Sequence, residues 1–301
     1  MHFLLDTDIG SDVDDALAVA LIAGSPEITL DGIATVYGDT RLRAQLARRY
    51  LRIAGADTNI TVAAGKETPW SGREVWWTGH EGALFPDLAT EPVDDDGVGY
   101  LVRAAAEQPG KLDVLAIGPL TNIAAALDAD PNFAANVRRL VIMGADFRAE
   151  DRIPEHNIKC DVDAAKRVFS SSLDIIVGGL DLTMKVWLTS GDVAKIAAGG
   201  PLGEVLAEEI RIWWKFNNED GNTPHDPILA LYLARPELFT ASARQHVEID
   251  DEGFSIPTAD ETGNVSILDV RDPEAIRQQI VDRIVAGSAA ATARAGSTET
   301  R

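Results

Sequence analysis

The chain has 301 residues, enough for one large α/β domain or two small ones. Asp and Glu number 48 against 27 Lys and Arg, a formal charge of −21, and so acidic a surface argues against nucleic acid and membrane partners and leaves a neutral small molecule or a cation. The opening Met1-His2-Phe3-Leu4-Leu5-Asp6 carries no basic-then-apolar leader, no run has membrane-spanning length, and Cys160 is the single cysteine, so the expectation is a reducing cytoplasm and no intrachain disulfide.

Strands and helices alternate along the chain, the pattern of an α/β protein with one open, mostly parallel sheet and helices on both faces. Leu4-Leu5 belong to a short buried strand, and Val13, Leu17, Ala20 and Leu21 recur at helical spacing over about 14–23. Residues 28–36 form a second strand, about 40–54 a second helix and 60–63 a third, short strand. Residues 64–97 hold Pro, Gly, three tryptophans and His80 with little periodicity, and a loop of that length is usually functional. There follow a helix near 97–107, a strand over 112–117, a helix over 120–129 and a strand over 138–143. An irregular stretch, 144–160, leads to a helix over 161–171 and a strand over 173–178. From 189 to 219 the pattern is helical, broken at Gly199-Gly200-Pro201. A helix over 226–234 has Asp226 to cap it and Pro227 for its first turn. Residues 243–270 read as two or three strands forming a small antiparallel edge region. The last helix starts at Asp272-Pro273-Glu274 and carries Ile276, Ile280 and Ile284 on one face. Beyond Gly287 small residues dominate, which predicts one domain over 1–286 and a disordered tail over 287–301.

Chemistry concentrates at the start. Asp6, Asp8, Asp12, Asp14 and Asp15 place five carboxylates within ten residues, where a buried strand turns into a helix. That is the carboxyl edge of a parallel sheet, where open α/β folds take ligands. Like charges about 4 Å apart repel by roughly 4 kcal/mol at an effective dielectric near 20, and a helix N-terminus returns only about 0.3–1 kcal/mol per group. A hard divalent cation with oxygen ligands, Ca²⁺ or Mg²⁺, answers the rest. Any one of these aspartates alone reads as a helix cap or a solvated turn residue; five together read as a metal site. An EF-hand loop is excluded, because the glycine falls fifth and Leu17 stands twelfth. A Mg²⁺-dependent phosphatase of the haloacid-dehalogenase type, with Asp6 as nucleophile and Asp8 as acid, shares the strand-Asp-x-Asp start. Gly10 stands where that class expects Thr or Val, so it is the alternative reading.

The block Asp6-Thr7-Asp8-Ile9-Gly10 with Asp14-Asp15-Ala16 resembles the signature of the nucleoside hydrolases, the inosine-uridine-preferring family. Thr35-Val36-Tyr37-Gly38-Asp39, Gly79-His80-Glu81-Gly82, Gly118-Pro119-Leu120-Thr121-Asn122, Glu155-His156-Asn157 and His225-Asp226-Pro227 match in order, over about residues 1–285. The resemblance implies the nucleoside hydrolase fold and Ca²⁺-dependent cleavage of a ribonucleoside into ribose and free base. It implies a Ca²⁺ held by Asp8, Asp15, Asp226 and the Ile117 carbonyl, with two ribose hydroxyls and a water completing the shell and Asp14 as general base. Ca²⁺ is a weak Lewis acid, so a base within reach of that water is needed. The carboxylates would stabilise an oxocarbenium-like sugar, and direct attack by water would invert the anomeric centre. By the same resemblance Asp39, Glu155 and Asn157 hold ribose hydroxyls, His80 touches the base, and His225 either protonates the leaving base or merely precedes a helix. Trp76, Trp77, Trp213 and Trp214 are candidate aromatic walls. A homo-oligomer, dimer or tetramer, is expected.

Three departures from the best-known members bear on substrate. Asp12-Val13 lengthen the first block by two residues, and Asp39 replaces an Asn. Ala149 stands where those members have an Asn six residues before the Glu, so a sugar contact is lost or passes to Arg148, Glu150 or Arg152. A non-catalytic ribose or nucleoside binder is a further alternative, against which Asp14 argues, since a binder needs no base.

Overall fold

The computed structural model describes residues 1–56 and 60–298. Its strands are β1 (His2–Thr7), β2 (Thr29–Thr35), β3 (Thr61–Ala64), β4 (Leu112–Ala116), β5 (Val137–Met143), β6 (Ile175–Gly178), β7 (Phe239–Ala241), β8 (Gln245–Ile249), β9 (Ser255–Ala259) and β10 (Val265–Val270). The helices up to the middle of the chain are α1 (Asp14–Ala23), α2 (Thr40–Ile53), α3 (Gly97–Glu107), α4 (Thr121–Ala129), α5 (Phe133–Asn136) and α6 (His156–Cys160). Those that follow are α7 (Val162–Phe169), α8 (Leu180–Thr183), α9 (Ser190–Ala197), α10 (Pro201–Asn217), α11 (His225–Ala234) and α12 (Pro273–Thr298).

Side chains of the central strands alternate between two apolar cores, one on each face of the sheet. Phe3 and Leu5 of β1, Leu115 of β4 and Val141 of β5 join the core under α1 and α11. Leu4, Val114, Leu140 and Ile142 join the core under α3, α4 and α7. This is the period of two that a pleated strand buried on both faces must show.

The strand order is β3-β2-β1-β4-β5-β6-β10-β8-β9, and the pairings from β3 through to β10 are all parallel. The chain runs outward from β1 to β3, then returns to lay β4 against the other side of β1. The loops leaving the carboxyl ends of β1 and β4 therefore diverge and open a crevice between them. β8 and β9 form the antiparallel edge. β10 is not part of that edge: it lies inside the sheet, parallel to β6 and flanked by β7 and β8. The stretch 144–160 also contains a short helix, α6.

The disordered tail expected from 287 is instead helix as far as Thr298, the last described residue. Small residues there serve close packing. A Cβ on Gly287 would sit 2.6 Å from the Ala20 carbonyl oxygen, and one on Gly24 would sit 2.0 Å from that of Arg283. Ser288 and Ala291 are buried with them. A composition that reads as unable to fold is what lets α12 lie against α1. Among the described residues no helix is long and apolar enough to cross a membrane.

Candidate active site

β1 delivers Asp8 to the crevice, and the chain then loops through Ile9–Val13 into α1. Val13 occupies the N-cap with no side-chain cap, so Asp12 does not cap the helix; its Oδ1 accepts from the Val13 N–H at 2.5 Å. Asp14 and Asp15 fall in the first turn and are buried. From far along the chain α11 brings Asp226. That helix begins at His225 with Pro224 at its N-cap, so Asp226 is not the cap its position suggested. Its backbone N–H instead donates to Asp14 Oδ2 at 3.4 Å.

Carboxylate oxygens of Asp14, Asp15 and Asp226 all lie within 4.8 Å of one another. Asp8 and Asp12 line the same cavity, a pocket of about 290 Å³. Burial, then the mutual repulsion of these groups, pushes the carboxyls of Asp14, Asp15 and Asp226 well above the usual range. Burial likewise pushes Asp12 up to about 8. It raises Asp8 too, against the pull of the nearby Arg43 guanidinium and of His156. A buried cluster of this kind is short of positive charge. Its donors are all hard oxygens converging from two distant segments, so the residues fit a divalent cation of the Ca²⁺ or Mg²⁺ type.

The turn after β4 closes one side. Gly118 packs so tightly that a Cβ there would lie 2.7 Å from Asp8 Oδ1. Ile117, just before it, lines the cavity, and its carbonyl accepts from Asn157 Nδ2 at 3.0 Å. The second amide hydrogen of Asn157 goes to the Met143 carbonyl at 3.3 Å. With both donors committed, Asn157 has its Oδ1 to offer a ligand. Glu155 lines the cavity while capping α6, accepting from the backbone N–H groups of Asn157, Ile158 and Ala145. Burial still pushes its carboxyl up to about 7.

His225 also lines the cavity, with Nδ1 2.8 Å from Thr183 Oγ1. Burial pushes the imidazole down to about 4. That direction favours a neutral hydrogen-bonding imidazole over the acid, one of the two roles the resemblance left open. His80 sits on the rim rather than in the lining, its Nε2 2.9 Å from the Ser11 carbonyl and its ring 5.5 Å from that of Phe216. Asp39 does not line the cavity. Its exposed carboxylate caps α2 by accepting from Leu42 N at 2.9 Å.

Of the four candidate wall tryptophans, Trp76 and Trp213 line the mouth with ring centroids 6.5 Å apart. Trp77 covers Arg43 instead, and Trp214 donates to Asn222 Oδ1 at 2.9 Å. None of the three polar residues around Ala149 reaches the cavity. Arg148 folds back onto Asp146, Arg152 donates to the Ser255 carbonyl at 2.8 Å, and Glu150 is exposed. Ile153 lines the pocket there. Asp6 lies under the site, wholly buried, with Oδ1 accepting from Asn122 Nδ2 at 2.6 Å. A carboxylate so placed cannot attack a phosphate, and the phosphatase alternative falls with it. Sequence reasoning missed Arg43. The available signal was an arginine on the stripe that Ala47 and Leu51 continue at helical spacing toward the core.

The pocket is acid-floored and aromatic-rimmed and lies at the switch point of a parallel sheet, and comparisons with known proteins give the class of the protein, an N-glycosyl hydrolase of ribonucleosides. The pattern of the inosine-uridine preferring nucleoside hydrolases matches residues 3–283, and the chain belongs to that family. It is 32% identical over 255 residues, 79% of this chain and 78% of the relative, to a protein of Arabidopsis thaliana named "Probable uridine nucleosidase 2". It is 31% identical over 262 residues, 81% of this chain and 83% of the relative, to the pyrimidine-specific ribonucleoside hydrolase RihA of Salmonella newport. Among solved structures, a plant nucleoside hydrolase superposes with a TM-score of 0.84 at 26% identity, covering 94% of this chain and 98% of that one. A purine-preferring ribonucleoside hydrolase from Gardnerella vaginalis, 23% identical with a TM-score of 0.85 over 96% and 99% of the two chains, shares the fold.

Proposed function

We propose that this enzyme hydrolyses the N-glycosidic bond of a ribonucleoside in a Ca²⁺-dependent reaction, with uridine the first substrate to try. The observation that carries the metal is the convergence of Asp14, Asp15 and Asp226, 212 residues apart at their extremes, onto one buried cluster. Asp8, Asp15, Asp226 and the Ile117 carbonyl would hold the ion. When bound, it supplies positive charge to the floor and a grip for vicinal sugar hydroxyls.

The remaining chemistry belongs to the chain. Held ionised where a bound cation offsets the neighbouring charge, Asp14 accepts the proton of the attacking water. The buried carboxylates stabilise positive charge growing on the sugar ring as the C–N bond breaks. Attack on the face opposite the base inverts the anomeric carbon. Asn157 Oδ1 accepts from a sugar hydroxyl, and Glu155, rigid at its helix cap, accepts another. Neutral His225 is positioned by Thr183 and offers a hydrogen bond toward the leaving base. Trp76 and Trp213 pack against the base at the mouth. The uridine and pyrimidine names of the relatives in Arabidopsis thaliana and Salmonella newport support a pyrimidine nucleoside. The solitary cysteine supports a reducing, cytoplasmic setting.

The test is a panel of purine and pyrimidine nucleosides with free ribose as readout, in Ca²⁺ and after stripping with a chelator. Ribose from uridine, lost on chelation and restored by Ca²⁺, is expected. No ribose from any nucleoside with Ca²⁺ present rejects the substrate class, and full activity after exhaustive stripping rejects the metal.

A further inference from the structure

Arg43 is wholly buried. Among the described residues no carboxylate lies within salt-bridge distance of it, although a buried charge ordinarily has an ionic partner. Its guanidinium is used on backbone instead. Nη1 donates to the carbonyls of Asp8 and Ile9, the latter at 3.0 Å, and Nε donates to that of Tyr37 at 2.6 Å. Nη2 donates to Ser11 Oγ at 3.2 Å, and Trp77 covers the plane with its ring centroid 4.9 Å away. Three of these four acceptors lie on the loop that carries the acidic cluster. That loop is the one lengthened by Asp12-Val13, and α1 begins without a side-chain cap to fix it.

The contacts extend to the aromatic rim by two routes. Ser11 Oγ donates to Glu81 Oε1 at 2.8 Å, and Glu81 also accepts from Thr78 and from the Gly79 N–H. Tyr37, whose carbonyl Arg43 holds, accepts on its phenol oxygen from the Trp76 N–H at 2.7 Å.

We infer that Arg43 is a positioning residue: it clamps the Asp8–Ser11 loop from below so that the carboxylates face a cation, and through Ser11–Glu81 and Tyr37–Trp76 it ties that geometry to the aromatic wall. The inference rests on the proposed cation. The planar fork matters more than the charge, because a lysine ammonium cannot serve carbonyls and a hydroxyl spread along its edges.

Arg43→Lys separates the roles, because it keeps the positive charge and loses the planar fork. If Arg43 acts only as a charge, the lysine variant binds Ca²⁺ as wild type does, and that result overturns the inference. As a clamp, either substitution weakens binding. The measurement is calorimetric titration of chelator-stripped protein with Ca²⁺, beside melting temperatures in chelator. Arg43→Met and Arg43→Lys should each weaken the Ca²⁺ dissociation constant by about 10–100-fold, the range for residues that orient metal ligands. Ser11→Ala, which leaves the guanidinium in place, should weaken it several-fold. Unchanged or tighter Ca²⁺ binding in folded Arg43→Met overturns the inference, as does a lowered melting temperature with an unaltered dissociation constant. If neither Arg43 variant folds, Ser11→Ala decides, and wild-type affinity there overturns it. Wild-type protein that binds no Ca²⁺ rejects the cation reading itself, a separate failure.

Discussion

Replacing Asp226 by Asn should stabilise the metal-free protein while abolishing its stabilisation by Ca²⁺. Asp14, Asp15 and Asp226 hold their oxygens within 4.8 Å of one another, and two ionised carboxylates at that spacing repel by about 3.5 kcal/mol at an effective dielectric of about 20. The substitution removes two such pairs, but proton uptake by these carboxyls has already relieved part of the strain. A net gain of about 1–3 kcal/mol follows, or roughly 2–6 °C in melting temperature for a chain of this size. The gain grows with pH. Because the native carboxyls sit above their unfolded values, the native state binds protons that the unfolded chain releases. That stability is complete below the unfolded value of 3.8 and is lost as pH rises; for Asp12 the loss runs up to about 8. Ca²⁺ at about 100 times its dissociation constant would add about 2.7 kcal/mol to wild type and little to the variant. Thermal melts in chelator and in Ca²⁺, at about pH 6 and about pH 8, should therefore cross. A variant that melts below wild type in chelator at both pH values, and still gains the full Ca²⁺ increment, would refute the charge-frustrated cation site.

Asp14→Asn should lower kcat by about 100–10,000-fold, the scale of a lost general base, with Ca²⁺ binding largely kept; an equal loss of binding would make Asp14 a ligand instead. Gly24→Ala should cost about 1–3 kcal/mol by forcing a Cβ onto the Arg283 carbonyl where α12 crosses α1; an unchanged melting temperature would show that the helices do not pack as described. The Arg283 guanidinium beside Glu27 pulls its carboxyl down to about 2. This depressed group contributes stability above its ordinary value of 4.5, lost as pH falls toward 2. Because the Glu27 carboxylate is exposed and solvent-screened, the pair is worth at most about 1 kcal/mol. Glu27→Gln should therefore lower stability slightly at neutral pH and not at all near pH 2, as denaturant melts at both would register.

Much was legible in the residues alone because it is local. Period two in β1 and period 3.6 in α1 follow from covalent geometry, and five carboxylates at one strand-to-helix junction announce a shortage of positive charge before any fold is known. The ordered motifs from Asp6 to Asp226 carried the family. What stayed hidden depends on which surfaces meet. The resemblance gave Asp39 a ribose hydroxyl, and Asp226 taken alone looked like a helix cap. Only packing shows that the first caps α2 at the surface while the second enters a helix that another residue caps and turns to meet Asp14. In sequence His225 reads equally as an acid or as a residue before a helix, and only the fold shows the burial that pushes its imidazole down to about 4. Gly287 begins a run of small residues that reads as disorder until α1 is laid against it. Arg43 stood unmarked among the arginines of α2, because nothing in a sequence says which carbonyls a side chain will find. Local backbone preference and charge density are properties of neighbours in the chain. Burial, and the partners that make it tolerable, are properties of neighbours in space, and only the folded chain assigns those.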